Sequence, residues 1–370
     1  MLANSPVDSL GAIDWSFANS TARDLTHDLH PWPAKFIPDI PASAIRLLTE
    51  PGELVVDPFC GCGTTAVEAL RTRRDVVVSD VNPLATLIAA AKTTPLSETV
   101  RDAIAEWALG LHPVPDNAEP TWAPAIPNID YWFSAPVQAQ LAALLDAITA
   151  FDGGSSFLQV ALSAIIVGAS RQESETRYRR VDRETTPAEV MARFQKKIRT
   201  GLRMLADLEA VAAGHRARVL TADARTFTRT TGPLNAALAV FSPPYPNAFD
   251  YHLYHRFRMF WLGMDPRPIK HDEIGAHLRY EPSSVWEADM KAAFHQVAES
   301  LRLGGYAICV VGDGIVNGEI FGSADALWAL AESVGLEPVW RVRRPIARTR
   351  RAFNLADSRL REEHMLAFRR

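Results

Sequence analysis

No stretch of this 370-residue sequence stays apolar for the ~18 residues a membrane-spanning helix needs, so neither a span nor a membrane partner is expected. The first six residues have no basic start leading into an apolar run, which argues against a secretory signal. Cysteine is scarce: there are three, two of them as Cys60-x-Cys62. That number builds no disulfide framework and suits a reducing, cytoplasmic setting. No second Cys/His pair lies near Cys60 and Cys62, so both read as small apolar turn fillers and no metal is expected. An excess of one charge is also missing. A formal net charge of -4 argues neither for nor against a nucleic-acid partner, because local distribution matters more than the sum. No internal repeat is visible.

What the sequence does have is enough apolar residue, 48%, to bury one large core or two modest ones. After a polar start, residues 40–48 repeat with helical spacing and Pro51-Gly52 ends them. Residues 53–56 read as a first strand, 66–70 as a helix, 75–80 as a buried strand ending in an acid, and 83–91 as a second helix. The alternation then breaks. Five prolines between 113 and 127 read as a linker, and periodicity from about 135 to 214 is helical. Strand character returns at 217–223, 237–241, 306–311 and 337–342, with a helix over 286–301 that Gly304-Gly305 closes and a last strand at 364–368. The pattern predicts an α/β sheet with a helical insertion between its second and third strands.

Two of the strands run into unusual turns. Behind 53–56 comes Asp57-Pro58-Phe59-Cys60-Gly61-Cys62-Gly63-Thr64-Thr65, and behind 237–241 comes Ser242-Pro243-Pro244-Tyr245. Strand, tight turn, then helix is how an open α/β sheet builds a ligand crevice at the carboxyl ends of its strands. A Gly-x-Gly alone is a weak signal, but the whole first segment behind a strand is a strong one. Together the two resemble the S-adenosylmethionine-binding and catalytic motifs of amino-methyltransferases, which methylate the exocyclic nitrogen of a base. The Ser-Pro-Pro-Tyr form is most similar to the cytosine-N4 DNA methyltransferases. The resemblance covers roughly residues 27–92 and 217–370.

The resemblance implies a Rossmann-like, class I methyltransferase fold with a mostly parallel seven-stranded sheet, and S-adenosyl-L-methionine as cofactor. Domain organisation follows: 1–94 as the cofactor element and first half of the core, 95–215 as a helical insertion suited to target recognition, and 216–370 as the second half. Cofactor contacts fall on Asp57 for the amino group, Phe59, Gly61 and Gly63 for close backbone approach, and Thr64 and Thr65 for the carboxylate. Asp80 matches an acid on the ribose hydroxyls, and Asp223 an acceptor for the adenine amino group. His30, Pro33, Ala34, Lys35 and Phe36 match the family's element that packs over the methionine end. Without the resemblance, those prolines around an aromatic are a rigid turn.

An exocyclic amine is a poor nucleophile, because its lone pair is delocalised into the ring. Acceptors at Ser242 and the Pro243 carbonyl favour a pyramidal nitrogen, Pro243 and Pro244 stiffen the turn, and Tyr245 offers a stacking face for a base taken out of the duplex. Double-stranded DNA with a flipped target base is therefore the expected substrate, and a bacterial defence context admits a cognate restriction endonuclease as partner. Residues 341–351 hold six arginines and no acid, so Arg343, Arg344, Arg348, Arg350 and Arg351 are assigned to the phosphate backbone. The competing reading pairs some of them with Asp357, Glu362 and Glu363 in a terminal hairpin. Basic stretches at 171–183 and 193–203 read equally well as solvated helix faces. Adenine-N6 methylation in DNA, RNA base methylation, and a nucleic-acid binder that has lost catalysis remain as alternatives.

Overall fold

The computed structural model describes residues 7–18, 20, 23–246, 251–276, 282–316, 319–346 and 362–370. Helix α1 (Asp39–Leu48) leads into β1 (Leu54–Asp57), α2 (Thr64–Arg71), β2 (Asp75–Asp80) and α3 (Pro83–Thr93). The helices α4 (Glu98–Leu109), α5 (Ile129–Trp132), α6 (Ala135–Ala150), α7 (Ser155–Ala169) and α8 (Pro187–Ala212) follow before the sheet resumes. Next come β3 (Ala217–Thr221), α9 (Phe227–Thr231), β4 (Ala236–Phe241), and the short helices α10 (Tyr251–Tyr254), α11 (Arg256–Trp261) and α12 (Ile269–Asp272). The chain ends with α13 (Ser283–Ser300), β5 (Leu301–Gly312), a small hairpin of β6 (Gly314–Val316) and β7 (Glu319–Phe321), α14 (Ser323–Ala331), β8 (Glu337–Pro345) and β9 (Glu362–Arg369).

Seven strands form one sheet in the order β3-β2-β1-β4-β5-β9-β8. The first five pair in parallel, and β9 runs antiparallel between β5 and β8. This is a Rossmann-like α/β architecture with a mostly parallel seven-stranded sheet, the fold class expected. Strand alternation divides the core in two. Val55, Val76, Val78, Leu238, Val240, Ile308 and Val310 pack against α1 and α2 on one face. Val56, Val77, Ala239, Phe241, Cys309 and Val311 pack against α13 and α14 on the other. A strand covered on both faces has no polar side, which is why 236–241 is apolar at every position.

The helices between β2 and β3 share a core with the sheet layer rather than standing apart. Phe157, Phe194 and Ile198 pack in one cluster with Leu84 and Ile88 of α3. Leu208 and Ala212, at the end of α8, close onto Val67 and Leu70 of α2. The start of α8 is set locally by Pro187 and a capping box between Thr186 and Glu189.

One expected boundary is corrected. Gly304-Gly305 does not close a helix; α13 passes directly into β5, whose first residue, Leu301, is 1% exposed and pairs with Ala236. The register shift between Ala236 and Leu238 absorbs the glycines as an irregularity inside the strand. Among the described residues, no helix is long and apolar enough to cross a membrane.

Candidate active site

The strand order reverses between β1 and β4, and at their carboxyl ends lies a cavity of about 450 Å³. That volume suits a ligand of nucleoside size. Its lining gathers segments from across the chain: 34–37, 57–62, 80–82, 223–224, 242–245, 272–274 and single residues of β5, β8 and β9. Six carboxylates (Asp57, Asp80, Asp223, Asp272, Glu273 and Glu363) face it against two cations, Lys35 and Arg344, so the site favours a ligand with positive charge.

The acidic wall is built locally. Asp57 ends β1 at 2% exposure and accepts from the Phe59 amide at 2.9 Å. Burial pushes its carboxyl up to about 7, against the opposing pull of the Thr65 hydroxyl and that amide. Asp80 ends β2 and accepts from the Gly61 amide at 2.9 Å and the Asn82 amide at 2.9 Å. Burial raises it to about 6. Gly61 holds φ +47°, a left-handed backbone conformation that favours glycine, in the turn that passes against the Trp32 ring. Asn82 caps α3 through Oδ1, which fixes its amide orientation. Its buried Nδ2 has no hydrogen-bond partner among the described residues, an unmet donor on the cavity wall.

Ala34, Lys35 and Phe36 form the rim, and Trp32, which the sequence reading did not assign, stands with them. Ala34 holds φ +52°, a conformation uncommon for a residue with a β-carbon and concentrated at functional sites. Lys35 Nζ donates to the His27 carbonyl at 2.9 Å, and burial lowers its ammonium pKa. Trp32 stacks on His255, with centroids 4.1 Å apart.

Four residues assigned to the cofactor lie off the cavity lining. His30 is 1% exposed, with Nε2 2.9 Å from Ser163 Oγ and Nδ1 2.6 Å from the Pro31 carbonyl. It ties the rim to α7, and burial drives its pKa well down. Pro33 is buried behind the rim. Gly63, at φ +83°, has no room for a β-carbon, which would come within 2.8 Å of Ala89 Cβ; it lets α2 and α3 approach closely. Thr65 is 1% exposed and supports the Asp57 carboxyl from below. Asp223 does line the cavity, but its carboxylate already receives the Arg225 amide at 2.8 Å and the Arg225 guanidinium at 2.6 Å.

The opposite wall is the turn 242–245, and all four of its residues line the cavity. Ser242 donates its hydroxyl hydrogen to the Val310 carbonyl of β5 at 2.9 Å, so Oγ presents only acceptor lone pairs to anything else. The Pro244 carbonyl receives Trp286 Nε1 at 2.9 Å, pinning the turn to α13. Tyr245 donates its phenol hydrogen to Glu363 at 2.9 Å. Glu363 was foreseen only as a hairpin partner of the arginines; its place on this wall, and that of the acids 272–273, arises because their strand and loop meet the turn only in the folded sheet.

The arginine assignment is corrected in one place. Arg344 is 2% exposed, ion-paired with Glu363, and donates from Nε to the Trp15 carbonyl at 2.9 Å, so no phosphate can reach it. Arg343 is exposed and stands 3.8 Å from Glu362. The hairpin pairing holds for Arg344, Arg343 stays exposed beside Glu362, and Arg348, Arg350 and Arg351 lie outside the described residues.

The sequence model of a family described as DNA methylase matches residues 11–90. The Type II methyltransferase M.MvaI of Kocuria varians is 32% identical over 174 residues, 44% of this chain and 37% of that protein. The Type II methyltransferase M.MjaII of Methanocaldococcus jannaschii is 29% identical over 85 residues, 22% of this chain and 16% of that one. This chain thus spans well under half the length of both relatives. A TehB-like SAM-dependent methyltransferase from Corynebacterium glutamicum aligns over 89% of this chain and 86% of its own, at 12% identity and a TM-score of 0.34. The stretch that resembles the DNA methylase family holds the rim, the glycine turn and Asp80, and ends before the Ser-Pro-Pro-Tyr turn.

Proposed function

We propose that this chain is a site-specific DNA methyltransferase acting on the exocyclic N4 amino group of cytosine, with S-adenosyl-L-methionine as methyl donor. The observation that carries the reading is the Ser242 hydroxyl, whose hydrogen is committed to Val310. Oγ is then an acceptor only, at the wall facing the buried acids. The cofactor, when bound, supplies an electrophilic methyl on a sulfonium centre. The residues present fit it. Asp57 and Asp80 offer buried carboxylates to a cationic ligand with an ammonium and a ribose, Lys35 offers a cation to its carboxylate, and the unmet Asn82 amide offers a donor.

Ser242 and the Pro243 carbonyl accept the amine protons and direct the nitrogen lone pair outward, while Tyr245 carries the base on its ring face. Transfer is a direct in-line displacement in which positioning and electrostatics supply the rate, and no cysteine nucleophile is involved. A base inside a duplex cannot reach a wall this deep, so the target is extruded. Residues 95–215 are assigned to target recognition, and Arg343, Arg348, Arg350 and Arg351 to the phosphate backbone. The names of the two Type II relatives support a restriction–modification role with a cognate endonuclease. Methylome sequencing of DNA from cells expressing the protein tests this: N4-methylcytosine within one short motif is expected. N6-methyladenine in its place would select the second reading, which the serine disfavours.

A further inference from the structure

The methyl-transfer reading leaves a carboxylate on the cavity wall unused. Glu363, on β9, faces Arg344 of β8 in the sheet register, and the two form an ion pair. A hairpin pair of that kind needs no third member. Yet Glu363 Oε1 also receives the Tyr245 phenol at 2.9 Å, from a residue 118 positions away on a different element. Arg344 is in turn fixed by the Trp15 carbonyl at 2.9 Å, and the Trp15 ring lies 6.1 Å from Trp340 of β8. The Tyr245 ring therefore ends a rigid chain of polar contacts that runs from the N-terminal segment through the hairpin to the catalytic turn.

We infer that Glu363 and Arg344 are positioning residues: acting through the Tyr245 hydroxyl, they fix the ring face on which the target base is carried. The inference rests on the function proposed above. A phenol bonded to a carboxylate makes a charge-assisted hydrogen bond, stronger than a neutral one. Trp286 holds the Pro244 carbonyl at 2.9 Å, so the turn backbone is pinned on one side and the ring tip on the other. Between those two fixed points the ring has one orientation. The hydroxyl is committed to Glu363, so the part proposed for Tyr245 in the reaction falls to its ring.

The test is a coupling experiment. Single-turnover methyl transfer from S-adenosylmethionine to unmethylated genomic DNA is measured for wild type, Tyr245→Phe, Glu363→Gln and the double variant. Each single change should slow transfer about tenfold, the worth of one charge-assisted hydrogen bond. Calorimetric affinity for the cofactor should stay within a few-fold in Tyr245→Phe, which leaves every carboxylate of the cavity in place. The double variant should be no slower than Tyr245→Phe, because that change removes the contact that Glu363→Gln only weakens. A wild-type rate in Tyr245→Phe, or effects that multiply in the double variant, would overturn the inference, the latter by showing that Glu363 touches the substrate directly. Should Glu363→Gln melt early because Arg344 loses its partner, Tyr245→Phe alone decides, since it leaves that pair intact. Absence of transfer by the wild type sinks the proposed reaction, and the inference with it; transfer with uncoupled variants sinks the inference only.

Discussion

The two walls of the cavity are held in opposite ways. On the acidic wall every support comes from nearby sequence: Asp57 is bonded by Phe59, and Asp80 by Gly61 and Asn82. On the turn wall the supports come from far away. Trp286 is 42 residues from Pro244, Val310 is 68 from Ser242, and Glu363 is 118 from Tyr245. The first wall forms as soon as β1, its turn and β2 are in place. The second forms only when β5, α13 and β9 close around it. A change in the first should therefore act on cofactor binding, and a change in the second on the reaction.

The largest effect expected is from Asp57→Asn. Asparagine resembles the protonated acid, and burial already holds that carboxyl near 7, so the fold should stand. Losing the buried anion opposite a cationic ligand should weaken S-adenosylmethionine binding by roughly 100-fold or more in calorimetry. Tyr245→Ala should do the reverse, leaving cofactor affinity within a few-fold while methylation falls by about 5- to 150-fold, the worth of one stacked base. Equal losses of affinity in the two variants would erase the distinction between the walls.

The pH dependence sharpens the same contrast. A cation binds to the ionised carboxylates, while the empty site holds them protonated below about 7 for Asp57 and about 6 for Asp80. Binding must release those protons, so affinity should rise about twentyfold from pH 6 to pH 8 and level off above. Asp57→Asn should flatten that rise. Within the arginine segment, neutralising Arg348, Arg350 and Arg351 together should flatten the salt dependence of DNA binding by about two to three log–log units without lowering Tm. Arg344→Met should instead lower Tm, because it strands Glu363. The smallest effect is expected from Gly63→Ala. The crowding against Ala89 should cost about 1–3 kcal/mol in denaturant unfolding and leave cofactor affinity nearly intact.

What could be read from the sequence follows the same division. The strands with uninterrupted apolar runs, 76–78 and 237–241, were legible because burial on both faces removes polar side chains from those positions. Asp57, Gly61 and Asp80 were legible because turn and strand end lie within one βαβ unit. Gly63 was assigned to the ligand because a glycine spared for helix packing and one spared for a cofactor look alike until α3 is placed. His30 lies off the lining for a related reason: its partner, Ser163, sits on α7, 133 residues away. Arg344 was assigned to phosphate over the hairpin alternative because only the β8–β9 register shows which arginine meets Glu363. Glu273 gave no signal, since nothing in its neighbouring sequence marks that segment as a wall.

The central claim is that the two walls together methylate an exocyclic base nitrogen in DNA. Its most direct test incubates the protein with methyl-labelled S-adenosylmethionine and either duplex DNA or RNA, then identifies the labelled nucleoside by mass spectrometry. The account predicts label in N4-methylcytosine from duplex DNA, lost in Tyr245→Ala. Label on carbon-5 of cytosine, label in RNA alone, or no label from an intact protein that binds the cofactor would contradict it.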